Sequence, residues 1–322
     1  MSYIEKRETN GTTYATFIKK IKIQGKTHVL RNYIGKLTPL FSKENHLLSN
    51  FDLLTQLEFN IREKYLMLTH DELTFNLDLL NRVELKSIKI ANFIEALEIK
   101  NIIFTKFAIE FIFNSNNIEG SRISRTKVLE IVEKGDITYH NRNEVIEVQN
   151  SIIAFEYILS GFKFNLASVK RLYYLLTNNL NMENGEAYPK GFKKIANIID
   201  NEATTPPECV EDELNYLLKN MRMNKKSCHP LKLAFDFHRK YEEIHPFLDG
   251  NGRTGRLIMD KILIAGGYFP MIVFAENKRA YFNVLSKARK GAVKKYNHFM
   301  LQQMDKTYDF ILGELNCLTK NA

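Results

Sequence analysis

Twelve consecutive residues, His245-Pro246-Phe247-Leu248-Asp249-Gly250-Asn251-Gly252-Arg253-Thr254-Gly255-Arg256, gather a histidine, a carboxylate, three glycines and two arginines. Glycines on either side of Asn251 let the backbone approach a ligand with its N–H groups turned toward it. The apolar run Leu257 to Ala265 reads as a helix, so the turn would stand at a helix N-terminus, where anions are favoured. Pro246 disfavours helical geometry in the residue before it, so the preceding helix is expected to end at His245, extended and facing whatever the loop binds. These are parts for phosphoryl or nucleotidyl transfer. His245 would take a proton from an attacking hydroxyl and Asp249 would hold Mg²⁺. The turn at Gly250, Asn251 and Gly252 would cradle phosphate oxygens, and Arg253 and Arg256 would neutralise the remaining charge.

Other chemistries use some of these residues. A P-loop would need a GK[ST] ending and a preceding strand, and GNGRTGR has neither. A metal hydrolase built on His238, His245 and Asp249 lacks a third nitrogen or sulfur ligand. His140, His229 and His298 read as surface or cap residues. The cysteines, Cys209, Cys228 and Cys317, are too few and scattered for a disulfide framework.

The elements that must position the motif are mostly helical. The 322 residues are 44% hydrophobic and 26% charged, enough to bury a large core. Apolar runs such as Ile102 to Phe113 are interrupted by Lys106 and Glu110 and are too short for a bilayer, and a soluble, cytoplasmic protein is expected. Of the net charge of +9, residues 1–36 supply +6 through eight Lys or Arg against two acids. Tyr3–Arg7, Thr12–Ile23 and Thr27–Ile34 alternate like strands around the turns Asn10-Gly11 and Gln24-Gly25-Lys26. A basic three-stranded β-meander over 1–40 is expected, docked on helices or on a second subunit because three strands alone are marginal. Its charge leaves open a nucleic-acid-binding regulator as the alternative, although aromatic interleaving is thin there.

A helical region over 41–100 and a helical core over 101–322 follow, with helices expected at Thr126–Glu133, Glu144–Leu159, Leu166–Asn179, Val210–Met221, Leu231–His245, Leu257–Ala265, Ala280–Arg289 and Val293–Leu318. The segment Gly185 to Pro207, with Gly, Pro and Asn around Ile198-Ile199, breaks the rhythm and reads as a β-hairpin or extended flap.

HPFLDGNGRTGR matches HxFx[DE]GNGRxxR, the signature of the Fic (Fido) family, at every specified position, and the resemblance extends from about Phe104 to Phe299. It implies an all-helical core with a β-hairpin flap (about 186–207) that moves a nucleotide, usually AMP from ATP, onto a Ser, Thr or Tyr hydroxyl of a target protein. By resemblance His245 is the general base, Asp249 the metal ligand, Gly250, Asn251 and Gly252 the anion hole, and Arg253 and Arg256 the phosphate-binding arginines. Ser115-Asn116-Asn117-Ile118-Glu119-Gly120 fits the family's inhibitory pattern [ST]xxxE[GN], on a helix at about 101–120. This implies that Glu119 pairs with Arg256 and obstructs the ATP γ-phosphate. The flap residues Asn197, Ile198, Ile199 and Asp200 would border nucleotide and target, and Tyr281-Phe282 takes the place of a frequent Tyr-Tyr pair beside the adenine.

The chain departs from relatives at Lys193, where the flap often has Arg, at Phe282, and at Arg289, where many have Asn. Gly250 and Gly252 are kept, which favours AMP transfer over phosphorylation. Mg²⁺ is the implied cofactor. ATP, a target protein that could be the chain itself, and a second copy in a homodimer are the implied partners, and no membrane is. Removal of AMP from a modified protein at the same site is the alternative activity.

Overall fold

The computed structural model describes residues 2–73, 76–182, 185–199 and 202–320, with only the backbone at 66–73 and 319–320. Its contacts divide the chain into two compact units, Met1–Phe104 with Met304–Ala322, and Thr105–Gln303. Residues 101–104 and those from Met304 onward, expected as part of a helical core over 101–322, thus group with the N-terminal residues.

In the first unit, β1 (Ser2–Thr9), β2 (Thr12–Ile23) and β3 (Lys26–Lys36) form an antiparallel meander in that order. Thr9 pairs with Thr12 and Ile23 with Lys26, leaving the two-residue loops Asn10-Gly11 and Gln24-Gly25. All four loop residues have positive φ, the geometry that matches the twist of the flanking strands. Phe17, Ile21 and Leu30 turn one sheet face inward, against Leu47, Leu54 and Ala96. Those three come from α1 (Lys43–Ser49), α2 (Phe51–Leu73) and α3 (Leu77–Leu97), so the meander docks on helices of its own unit. The N-terminus of α3 is capped by Asn76 Oδ1 accepting from Leu79 N (3.0 Å). The end of α12 (Val293–Lys320) joins this unit through Lys86, whose Nζ lies 2.7 Å from both Asp305 and Asp309.

The second unit contains α4 (Lys100–Glu119, from Thr105), α5 (Arg125–Lys134), α6 (Arg142–Ser160), α7 (Leu166–Thr177), α8 (Val210–Asn224), α9 (Pro230–Ile244), α10 (Asn251–Ala265), α11 (Lys278–Arg289) and the start of α12. Asn and Ser side chains set several starts: Ser124 Oγ accepts from Lys127 N, and Asn165 Oδ1 from Ser168 N. The hub is α10, which packs against α9, α7 and α6. Leu257, Ile258, Met259, Ile262 and Leu263 are all buried on it, each side chain contributing roughly 1.5–3 kcal/mol. A helix buried on most sides is held by its neighbours, and so is whatever its first turn carries. The expected flap is a short antiparallel hairpin, β4 (Ile198–Ile199) with β5 (Glu202–Ala203). Among the described residues no helix is long and apolar enough to cross a membrane.

Candidate active site

Two expectations about the motif's backbone need correction. His245 is not extended: it caps α9 in the left-handed region, φ 49° and ψ 65°. Proline excludes the right-handed helical region for its predecessor but leaves this one open, and His245 N still donates to Tyr241 O (2.9 Å). Left-handed geometry in a non-glycine residue costs about 1–2 kcal/mol, so the surrounding fold must impose it. The helix after the motif also begins earlier than the apolar run suggests, at Asn251. Asn251, Gly252, Arg253 and Arg256 therefore ride on its first two turns, with Gly250 as its N-cap at φ 76°.

The loop between the helices is braced from within. Asn251 accepts from Phe247 N (2.8 Å) and donates to Phe247 O (2.9 Å). Thr254 Oγ1 donates to Gly250 O (2.7 Å), and Phe247 stacks on Tyr173 at 3.8 Å and 4°. The Asn251 side chain is thus occupied by the loop itself. What remains for a ligand is backbone: the first N–H groups of α10, which have no acceptor inside the helix.

Four ionisable side chains surround that helix start. His245 is 17% exposed. Burial, then the nearby Lys193 and Arg289, push its pKa down to about 4, so the ring is neutral at pH 7. Asp249 is exposed; its Oδ1 accepts from Gly250 N (2.5 Å) and its Oδ2 from the Tyr188 hydroxyl (2.8 Å). Arg253 and Arg256 are almost fully buried. Arg253 pairs with Glu147 (3.0 Å), and Arg256 with Glu119 (2.6 Å).

Glu119 ends α4, and Ser115 lies one turn before it. Arg256 donates through Nε and NH2 to Ser115 Oγ (3.1 and 3.0 Å) and through NH2 to Ser115 O (3.0 Å). Gly252 leaves the space that the Glu119 carboxylate fills. A Cβ there would lie 2.2 Å from Glu119 Oε1 and 2.9 Å from Arg256 NH1. A carboxylate therefore rests on the first turn of α10, the place to which the helix dipole draws an anion.

The flap is tied to the motif. Lys193, buried, donates through Nζ to Asn197 Oδ1 (2.8 Å), Thr204 Oγ1 (2.6 Å) and Ile244 O (3.2 Å), and its N–H to Pro246 O (2.9 Å). Burial brings its pKa down to about 8. Asn197 Nδ2 donates to Phe247 O (3.3 Å), while Ile198 is 70% exposed. Arg289 links the flap to α9, donating to Ile199 O (3.5 Å) and Glu242 O (2.9 Å). Asp200 lies outside the described residues. Tyr281 turns inward, with its hydroxyl hydrogen-bonded to His238 Nε2 (2.7 Å), and Phe282, beside it at 5.3 Å, is 40% exposed.

The sequence reasoning missed Glu147, Tyr188 and Glu242. Glu147 and Tyr188 reach Arg253 and Asp249 across 106 and 61 residues, and no local pattern signals such pairs. Glu242 stands one helical turn before His245, a spacing that does put two side chains on one face.

Residues 163–263, which contain the whole motif, match the model of the Fic/DOC family. That stretch, about a third of the chain, is similar to a Fic/DOC domain. It is 27% identical over 213 residues to the protein adenylyltransferase Fic of Drosophila mojavensis, covering 63% of this chain and 41% of that protein. It is 37% identical over 89 residues to the same-named protein of Drosophila persimilis, covering 28% and 18%. The chain thus spans less than half the length of these curated relatives. The fold resembles that of a Fic domain containing signaling protein from Bacteroides thetaiotaomicron, with a TM-score of 0.62, 17% identity and coverage of 72% of this chain and 97% of that one. A Fic family protein from Desulfovibrio desulfuricans gives a TM-score of 0.61 at 22% identity, covering 74% of each. These likenesses are to the fold, a helical body with a small flap.

Proposed function

We propose that this chain transfers AMP from Mg-ATP to a Ser, Thr or Tyr hydroxyl of a target protein and is held off by Glu119. The observation that carries the reading is the convergence at one helix N-terminus of neutral His245, exposed Asp249 and buried Arg253 and Arg256, with a carboxylate resting where a phosphate would. The adenylyltransferase names of the relatives support it.

In this reading His245 accepts the hydroxyl proton, the freed oxygen bonds to the α-phosphorus in line, and pyrophosphate leaves. Burial keeps the ring neutral and ready, and a positioned base of this kind is typically worth about 10²–10⁴ in rate. The N–H groups at the start of α10 and the two arginines meet the charge of the phosphates without reorganising. Asp249 suits Mg²⁺: it is exposed and its partners are neutral donors, which leaves its charge and further lone pairs available to a hard cation. When bound, Mg²⁺ would neutralise phosphate charge. One protein carboxylate with phosphate oxygens and waters is an ordinary ligand set for it.

Glu119 competes in two ways, for Arg256 and for the space over Gly252. The chain incubated with α-³²P-ATP and Mg²⁺ should label itself or a protein substrate, and Glu119→Gly should label more strongly. Absence of label from both, with α-labelled GTP, CTP and UTP equally inert, would overturn the reading.

A further inference from the structure

Among the described residues, the buried atoms behind the site that have no hydrogen-bond partner include His238 Nδ1, Glu242 Oε1, His245 Nδ1 and Arg256 Nη1. They belong to residues of one cluster. Glu242 Oε2 lies 3.8 Å from His245 Nδ1, and its Oε1 lies 4.0 Å from His238 Nδ1. Gly255 keeps the room for this arrangement, since a Cβ there would meet Glu242 Oε1 at 3.0 Å and His238 Nδ1 at 3.1 Å. Glu242 is 7% exposed and His238 fully buried, so bulk water does not screen them.

Building on the AMP-transfer reading above, we infer that Glu242 is a positioning residue for His245, holding Nδ1 in the protonated tautomer so that the Nε2 lone pair faces the hydroxyl, and supporting the imidazolium once that proton arrives. The two side chains share a helix face three residues apart, so a small carboxyl rotation closes the 3.8 Å gap to a hydrogen bond. Such contacts are commonly loose until substrate is bound. The proton taken by Nε2 leaves to solvent after transfer. Without such support a ring buried beside Lys193 and Arg289 accepts a proton reluctantly.

Several groups set the charge of this pair. Arg256 from α10 and Arg289 from α11 favour the Glu242 carboxylate, while Glu119 from α4 opposes it. Tyr281 of α11, Tyr296 of α12 and Tyr241 and His238 of α9 also face it. His245 itself faces Lys193, Arg289 and Asp249, and the Glu242 backbone also favours its charged form. Burial brings Glu242 up to about 7, so its charge changes within an accessible pH range.

The test uses the full chain in the Glu119→Gly background and follows self-labelling from α-³²P-ATP between pH 5 and 9, with and without Glu242→Gln. Gln keeps size and shape but loses the charge. The expected result is labelling about ten- to a hundredfold slower, with half-maximal ATP concentration within about threefold, and an acid limb moved to lower pH by about half a unit or more. A Gln variant with the parent's rate and acid limb overturns the inference, because a packing role would survive this exchange. In parallel, ¹⁵N-histidine spectra, with His245 assigned through its loss in His245→Gln, report the tautomer and titration midpoint directly. An Nδ1–H tautomer in the parent and a lower midpoint in Glu242→Gln support it; an Nε2–H tautomer or an unmoved midpoint overturns it. Should the Glu119→Gly parent label nothing, the AMP-transfer reading fails while the spectra still decide the role of Glu242.

Discussion

Replacing Glu119 by Gly removes a carboxylate from a guanidinium that is 1% exposed, at 2.6 Å, while Ser115 still holds Arg256 through three contacts. Hydrogen bonds to charged groups are worth about 1.5–3 kcal/mol, and with the Glu119 side chain 26% exposed the lower half of that range applies. At about 1.4 kcal/mol per tenfold, ATP should bind Glu119→Gly roughly ten- to thirtyfold more tightly. Without nucleotide the same change leaves a buried cation without its anion, so the variant should melt lower than the parent. With saturating ATP the order should narrow or reverse. Tighter binding by a factor of ten adds about 1.4 kcal/mol of linkage at equal ATP concentration, or about 3–6 °C of extra shift for a unit of this size. Calorimetric titration and ATP-dependent melting, in Mg²⁺ with a non-hydrolysable analogue, read both quantities. Equal affinity and equal ATP-induced shifts in parent and variant would show that Glu119 and phosphate do not compete, and would refute the autoinhibitory reading.

Other perturbations test neighbouring parts. His245→Ala in the Glu119→Gly background should lose labelling by about 10²–10⁴ while ATP still raises Tm, since the proposed phosphate contacts lie on α10; labelling at the parental rate would remove His245 as the base. Gly252→Ala places a methyl 2.2 Å from Glu119 Oε1 and should displace that carboxylate. Adding Glu119→Gly should then change ATP affinity far less than it does in the parent, and a fully additive double-mutant cycle would contradict the contact. The pH dependence of stability has two opposed parts. His238 and His245 sit at about 3 and 4 when folded, lowered mainly by burial, so between those values and about 6.5 the unfolded chain binds more protons and acid destabilises the fold. Glu242, raised mainly by burial to about 7, does the reverse between about 4.5 and 7, where the folded chain binds more protons and stability falls as pH rises. Glu242→Gln should therefore steepen the loss of urea resistance on acidification from pH 6.5 to 4.5. A shallower loss would show that the carboxyl is already ionised there.

Much of this molecule is legible along the chain because its signals are local. Asn-Gly and Gln-Gly turns between alternating runs specify the meander, since both rest on neighbouring φ values and a period of two. Helix positions followed from apolar spacing and Asn or Ser caps, within a few residues. Errors fell where context overrides local preference. His245 was expected to be extended because proline excludes one alternative. The fold uses another that the exclusion leaves open, and it aims Nδ1 at Glu242. The start of α10 was expected at the apolar run. Polar residues of the first two turns are helical because Asn251 and Thr254 fold their side chains back onto Phe247 and Gly250.

The sequence by itself determined which chemistry the site could hold, because a histidine, a carboxylate, three glycines and two arginines within twelve residues are already close in space. It also placed Glu119 and Ser115 one helical turn apart. Tertiary structure alone decided which charge meets which: Glu119 with Arg256 across 137 residues, Glu147 with Arg253, Tyr188 with Asp249. Pairing between distant residues depends on how helices cross around α10, and that is fixed by the summed packing of many buried side chains rather than by any stretch of sequence. The same packing sets burial, which at pH 7 leaves His245 neutral and Glu242 near its titration point.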